Sequence, residues 1–426
     1  MLRKLFVSVL FVSLVMLPGW TRTAIAATAT SPATQVLSLQ ACLNLGFANS
    51  RDLQTEAQNI KVAQESVNQA AAGFKPTVDY SVNHIQQTVS GTYNSGTLSV
   101  DLPVLNRNKL SKSLQVAMLA LDSAKEDERQ TKLQLIQDIK ADFYDLWLKE
   151  QQLAVAQASY DNLGQHYQNV EKYYQVGKKS KYELLEAEVA WKEQKAEVIS
   201  AKNDVSLAKL TLATLIGIDK DQDFQISYDS AMQQLPEQLA LTLNPLLEKA
   251  YQQRPDMIQA GQAIQTAQLN VDIAKANLNP ALSLSGTRAD NSGNWEFVLG
   301  VSGTLYDAKV TDSKVKAAEE KVTLAKISAA KTQDSARQSI QKVFLSVQTN
   351  LEKANAYRAN VELAKEDLRM TEIRYNAGVA TIMDVRDRQL TLDEAQDSFY
   401  QAVSSYLTNL ATLELELGSS DEIKLK

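Results

Sequence analysis

The stretch "YNAGVATIMDVRD", residues 375–387, and the stretch "YYQVGKKSKYELLEAE", residues 173–188, are two versions of one interruption in a helical pattern. Each places a tyrosine three residues before a glycine, Tyr375 before Gly378 and Tyr174 before Gly177. Each then resumes a helical rhythm with two acids three apart, Asp384 and Asp387 or Glu183 and Glu186. Glycine permits the backbone turn between two antiparallel helices, and acids at that spacing share a helix face. A chain that makes the same turn twice is built in two like halves.

Other landmarks repeat in the same order. "AAAGFKP", ending at Pro76, is echoed by "AKANLNP", ending at Pro280, and "LIG" at Gly217 falls over "ELG" at Gly418. Matching landmarks at a fixed offset mark an internal repeat. All eight prolines lie at or before Pro280, and the stretches 104–235 and 281–426 hold none, which leaves room for long helices. Each half is expected to run helix, two strands, very long helix, break, shorter return helix.

Working outward, an opening helix is expected over residues 39–74 and its counterpart over 244–279. Long helices are expected over 109–174 and 309–376, with apolar residues at coiled-coil spacing, for instance Ile139, Phe143 and Leu146. At about 1.5 Å per residue each approaches 100 Å, and a helix that long needs neighbours along its length. Return helices over 180–215 and 381–417 cover half of each long helix, and the opening helices, stacked end to end with them, cover the rest.

Between the helices the period changes to two. Val78, Tyr80 and Val82 alternate with polar residues, as do Leu98, Val100, Leu102 and Val104, around a turn expected at Ser90–Gly96. The second hairpin turns at Asp290–Asn294, and Trp295, Phe297, Leu299, Val301 and Leu305 share one face of its return strand. The expected division is therefore 27–218 (hairpin 77–104, tip 175–180), a connector over 219–244, 245–418 (hairpin 281–306, tip 376–381) and a tail over 419–426.

The chain opens with Arg3 and Lys4 ahead of an apolar run, Leu5–Leu17, and Ala24-Ile25-Ala26, the pattern of a cleaved secretory signal over residues 1–26. Cleavage removes three positive charges from a chain of net charge −6, leaving −9, an unfavourable balance for binding nucleic acid. The one cysteine, Cys42, lies past the cleavage point on a helical pattern, so no internal disulfide and no lipid anchor are expected. No later window is long and apolar enough for a membrane-spanning helix, so entry into a bilayer requires a barrel.

Four strands of about ten residues suit a tilted crossing but cannot close a barrel, because the smallest membrane barrels have eight. Several copies must share it, and three or more leave an open lumen. Tyr80, Tyr93, Trp295 and Tyr306 near the strand ends suit membrane interfaces. Two histidines and one cysteine supply no zinc or nucleophile constellation, and there is no glycine-rich phosphate loop, so neither enzyme chemistry nor a metal or cofactor is expected. A soluble periplasmic coiled-coil scaffold with small β caps remains the alternative.

From "LSLQACLNLGFANSRDLQ" to "ATLELELG" the chain resembles the TolC-type outer-membrane efflux proteins, exit ducts of tripartite pumps and type I secretion systems. "QRPDMIQA", the proline opening each hairpin, "TLYDAK" and "YNAGVATIMDVRD" carry the resemblance most specifically. It implies a fold mainly α with a β-barrel part: a homotrimer with a twelve-stranded outer-membrane barrel in lipid and a periplasmic helical tunnel girdled at its equator. It also implies that the two breaks are periplasmic tips that meet an adaptor protein, itself coupled to an inner-membrane transporter, and that close the tunnel. Val176, Gly177, Lys178, Lys179, Ala377, Gly378, Val379 and Ala380 would touch the adaptor; Asp384 and Asp387, with Glu183, Glu186 and Tyr375, would form the gate, the acids raising one another's pKa. Val379 and Ala380 stand where some relatives carry cationic gate residues, which argues against a salt-bridge lock there. The Lys178, Lys179, Lys181 cluster, set where relatives are more apolar, leaves the adaptor class open.

Overall fold

The computed structural model describes residues 35–87, 91–104, 107–219, 224–228, 235–239, 241–277, 279–289, 294–304 and 306–419. The signal at 1–26, residues 88–90 and 290–293 in the hairpins, Leu105, Leu305 and the tail after Ser419 lie outside the described residues.

The chain runs β1 (Gln35–Leu37), α1 (Leu39–Asn49), α2 (Arg51–Ala72), β2 (Thr77–Gln87), β3 (Gly91–Pro103), α3 (Arg107–Gln175) and α4 (Lys181–Ile216). It continues β4 (Phe224–Ile226), α5 (Leu243–Gln253), α6 (Pro255–Ala276), β5 (Ala281–Ala289), β6 (Trp295–Ser302), α7 (Val310–Asn376) and α8 (Ile382–Glu416). The two long helices, α3 and α7, have 69 and 67 residues. α4 folds back along α3 and α8 along α7, while α2 lies on α3, and α6 lies against both long helices.

The opening helices are each broken rather than continuous. Ser50 leaves helical geometry and its Oγ accepts the Leu53 backbone N–H, capping α2; in the second half Arg254 leaves the helix and Pro255 begins α6. In the second half Pro255 breaks the helix locally, because it lacks an N–H and disfavours helical geometry at Arg254, and in both halves the return helix ends where the opening helix breaks. Asn49 Nδ2 donates to the carbonyls of Ile216 and Gly217 at 2.9 and 3.3 Å, and Arg254 donates to the Glu416 carbonyl at 3.0 Å. End-to-end stacking thus holds, and after the break the rest of each opening helix continues along a long helix, while its start docks beside α3 and α4 in the first half and beside α7 in the second.

Two apolar clusters meet at this level. Cys42, Ile139, Phe143, Leu212 and Ile216 fill one, and Trp147, Ile340, Leu351, Tyr406 and Leu413 fill the other. Full burial of a large apolar side chain is worth about 1.5–3 kcal/mol, so these clusters fix the middle of the rod. The connector seals it, with β4 pairing parallel to β1, Tyr228 donating to Glu150 on α3 at 2.5 Å, and Asn355 on α7 donating to the Pro236 carbonyl at 3.1 Å.

At the other end, one antiparallel sheet is ordered β2-β3-β5-β6. The first turn is shorter than its composition suggests, because Gly91–Gly96 belong to β3, with Gln87 opposite Gly91 and Val82 opposite Gly96. Register puts Val78, Val100, Gly286 and Phe297 in one row, and Tyr80, Leu98, Arg288 and Trp295 in another on the same face. The opposite face carries Asp79, Asp101, Ser285, Thr287 and Glu296. Val78, Val82, Phe297, Leu299 and Val301 are exposed, so the apolar face has no cover within the chain. No helix among the described residues is long and apolar enough to cross a membrane.

Candidate functional site at the helical tips

Both helix–helix breaks are built from the same two motifs. At the end of α3, Lys178 N–H donates to the Tyr173 carbonyl (2.8 Å) and Gly177 N–H to the Tyr174 carbonyl (2.9 Å); at the end of α7, Val379 donates to Arg374 (2.9 Å) and Gly378 to Tyr375 (2.9 Å). Gly177 and Gly378 take φ of +74° and +77°, the left-handed C-cap that satisfies a helix's last carbonyls.

Three residues beyond each glycine a capping box starts the return helix. Ser180 Oγ accepts the Glu183 N–H while the Glu183 carboxylate accepts the Ser180 N–H at 2.9 Å; Thr381 and Asp384 do the same, at 2.7 Å for the returning bond. The caps follow the pattern G-x-x-S/T-x-x-E/D, so Glu183 and Asp384 serve the N-terminal ends of the return helices.

These bonds change the chemistry expected of the acids. Glu183 is held down to about 2, chiefly by Lys179 and then by the Ser180 N–H. Asp384 is also lowered, first by the Thr381 N–H and then by its hydroxyl. Within one chain the shift is therefore opposite to mutual elevation. Glu186 accepts from the Tyr182 hydroxyl. Asp387 is exposed between two inter-helix ion pairs, Arg386–Glu193 at 2.9 Å and Arg388–Asp367 at 3.3 Å.

Among the tip residues, Val176, Gly177, Lys178, Ala377, Gly378 and Val379 are exposed, whereas Lys179 and Ala380 are half-buried. Lys179 is not a solvated member of a lysine cluster. Its ammonium donates to Glu183 at 2.7 Å and sits 5.0 Å from the centre of the Tyr375 ring, a cation–π contact between the two hairpins. His166 on α3 also lies against Tyr375, 5.0 Å between ring centres. Burial, reinforced by Lys179, pushes His166 down to about 4. The structure thus brings together Glu183, Lys179, Tyr375 and His166, the last of which carried no signal in the sequence because its neighbours are distant along the chain.

The predicted interface aromatics take different places along the sheet: Tyr80 and Trp295 share one cross-strand row, and Tyr306 lies just before α7. Tyr93 pairs with Ile85 in β3, and its side chain lies outside the described residues. Tyr80 and Tyr306 are exposed, and Trp295 stacks on Phe297 at 6.0 Å. Among the described residues no cluster of three His, Cys, Asp or Glu could hold a metal ion.

Comparison with known proteins places this geometry. The sequence profile of the family described as Outer membrane efflux protein matches residues 43–218 and again 246–419. The chain belongs to that family. Nodulation protein T of Rhizobium leguminosarum bv. trifolii is 23% identical over 396 residues, covering 88% of this chain and 84% of that protein. Outer membrane protein TolC of Escherichia coli (strain K12) is 21% identical over 410 residues, covering 87% and 80%. The solved structure of CusC superposes with a TM-score of 0.78 at 17% identity, over 95% of this chain and 99% of that one. This outer membrane efflux protein is therefore a duct rather than an enzyme, with helices forming a periplasmic tunnel below a membrane β-barrel.

Proposed function

We propose that three copies of this outer membrane efflux protein assemble into one conduit: a twelve-stranded barrel in outer-membrane lipid, continuous with a helical tunnel whose tips dock on a periplasmic adaptor coupled to an inner-membrane transporter. The observation that carries this reading is the four-stranded sheet, apolar on one face, polar on the other, with β2 and β6 as its two edge strands. In lipid those edges would leave backbone N–H and C=O groups without partners, at several kcal/mol each. Pairing β6 of one copy with β2 of the next removes every edge, and three copies leave a wider lumen than two. Tyr306 would sit at one membrane interface and Tyr93 at the other, with Tyr80 and Trp295 in one row between them.

At the tips, Glu183, Glu186, Tyr375, Asp384 and Asp387 form the gate region, and Val176, Gly177, Lys178, Ala377, Gly378 and Val379 meet the adaptor. Lys179 and Ala380 support that surface from inside. Three-fold repetition would multiply the Asp387 and Asp384 charges around one axis, so the mouth would attract cations. The test is full-length protein purified in detergent and added to a planar lipid film. An SDS-resistant, heat-modifiable oligomer with discrete conductance is expected, with cation selectivity or block altered in D384A/D387A; a monomer that makes no pore overturns the reading.

A further inference from the structure

A second set of carboxylates lies away from the tips, in the seam between α8 and α3. One stripe of α8, comprising Gln389, Asp393, Asp397, Tyr400 and Ser404, faces α3. Asn162 donates to Gln389 at 3.4 Å, Ser159 hydrogen-bonds Asp393, the Trp147 ring meets Tyr400 edge-on at 5.8 Å, and Ser404 donates to the Tyr144 carbonyl at 3.2 Å. Gln389 also donates to Asp393 at 2.8 Å. Asp393 and Asp397 are one helical turn apart and half-buried, and the Oδ1 of Asp397 is fully buried with no hydrogen-bond partner.

This seam differs from the contacts inside each hairpin. α7 and α8 are zipped by Val361, Leu368, Ile382, Val385 and Leu392, whereas α3 and α8 meet here through amides, a hydroxyl and two acids. Above it, the buried Lys140–Glu414 pair, 2.5 Å apart, ties α8 to α3. Below it, the exposed Arg386–Glu193 pair links α8 to α4. Facing charges are few: Lys149 on α3 acts on Asp397, Glu394 on α8 acts on Asp393, and Arg358 on α7 lies over the Phe399 ring, 5.9 Å from its centre. Burial raises both carboxyls; the charge of Asp393 raises Asp397 further, while Gln389 and Ser159 partly offset the rise at Asp393, and Lys149 at Asp397.

We propose that Asp393 and Asp397 make the α3/α8 seam a proton-controlled joint, held together while the pair keeps a proton and loosened when both carboxylates ionise. An ionised pair one turn apart gains hydration when the helices part, and a protonated acid does not. The packed seam therefore binds more protons than the parted one, and its share of the population rises as pH falls. For a difference of one proton the ratio changes by up to about tenfold per pH unit. Nothing in this depends on the tips acting as a gate, because the quantity at issue is the distance from α3 to α8.

The test is that distance in the full-length, membrane-reconstituted protein, measured between spin labels at A154C on α3 and L390C on α8, with the buried Cys42 left in place. As pH rises from acid through neutral, a longer-distance population is expected to grow. D393N/D397N should hold the short distance at every pH, and K149Q, which removes a cation acting on Asp397, should move the midpoint to higher pH. His166, one turn below Asn162, titrates in the opposite sense, so H166Q should keep the shift. A wild-type distance that ignores pH overturns the proposal, as does a shift that survives in D393N/D397N or disappears in H166Q. If D393N/D397N fails to assemble, an unmoved midpoint in K149Q overturns it.

Discussion

Among the described residues four glycines take left-handed geometry, and they fall into two pairs with opposite surroundings. At Gly177 and Gly378, at the tips, an added Cβ would meet nothing within 4 Å. At Gly217 it would lie 2.5 Å from the Asn49 side chain, and at Gly418 2.7 Å from the Gln253 carbonyl and 2.8 Å from Arg254 Cα. The same residue in the same conformation ends all four helices, yet at the equator it allows two chain segments to touch, and at the tips it only turns the chain. The equator is a clamp and the tips are bare ends.

Substitutions can break this contrast, and the largest effect should be at the equator. Lys140→Ala strips the buried Glu414 carboxylate of its cation and is expected to cost about 3–5 kcal/mol, read as a fall in the thermal midpoint of the detergent-solubilised protein. Gly418→Ala drives a methyl into backbone that cannot rotate away, on the order of 3 kcal/mol. Gly217→Ala meets a side chain that can move but loses the Asn49 cap, about 2 kcal/mol. Gly177→Ala and Gly378→Ala should cost only the left-handed penalty, about 1–2 kcal/mol each, with hydrogen exchange changed at the tips alone. An equal loss at all four glycines would refute the clamp reading.

Smaller effects sharpen the comparison between the tips themselves. Ser180→Ala and Thr381→Ala each remove half of a capping box, about 1 kcal/mol, and should fray the first turn of α4 or α8 in hydrogen exchange. A different kind of change is a response to acid confined to the first tip. His166 is neutral in the fold because burial depresses it to about 4, so its contribution is complete above its ordinary value of 6.5 and is lost as pH falls from there toward 4. Acid should therefore speed exchange around Lys179 and Tyr375 before it affects the apolar zipper of α7 and α8, and H166Q should abolish the difference. Glu183, held near 2, should keep its cap throughout that range.

Much of this architecture was readable along the chain. The proline-free reaches gave the long helices to within three residues at each end, and period-two alternation gave both hairpins. Gly177 and Gly378 marked the tips because a left-handed C-cap is a local demand that few other residues meet. The break at Arg254 was legible in Pro255, which lacks the backbone N–H and disfavours helical geometry at the residue before it; the break at Ser50 has no such breaker, and there the arriving end of α4 decides. Gly91–Gly96 looked like a turn by composition but is strand because the partner strand extends to Gln87. Lys179 looked solvated because Tyr375 is far away in sequence.

What the sequence by itself determined is the local grammar: where helices run, where each must stop, and which face of each strand is apolar. These follow from one residue's allowed geometry or from a period of two or of three and four, and need no knowledge of distant neighbours. The tertiary structure alone decided which charges are buried and which acids are spent on caps. It also decided that the α3/α8 seam is polar while the hairpins are greasy, because dielectric and partnership depend on what folding brings within a few ångströms.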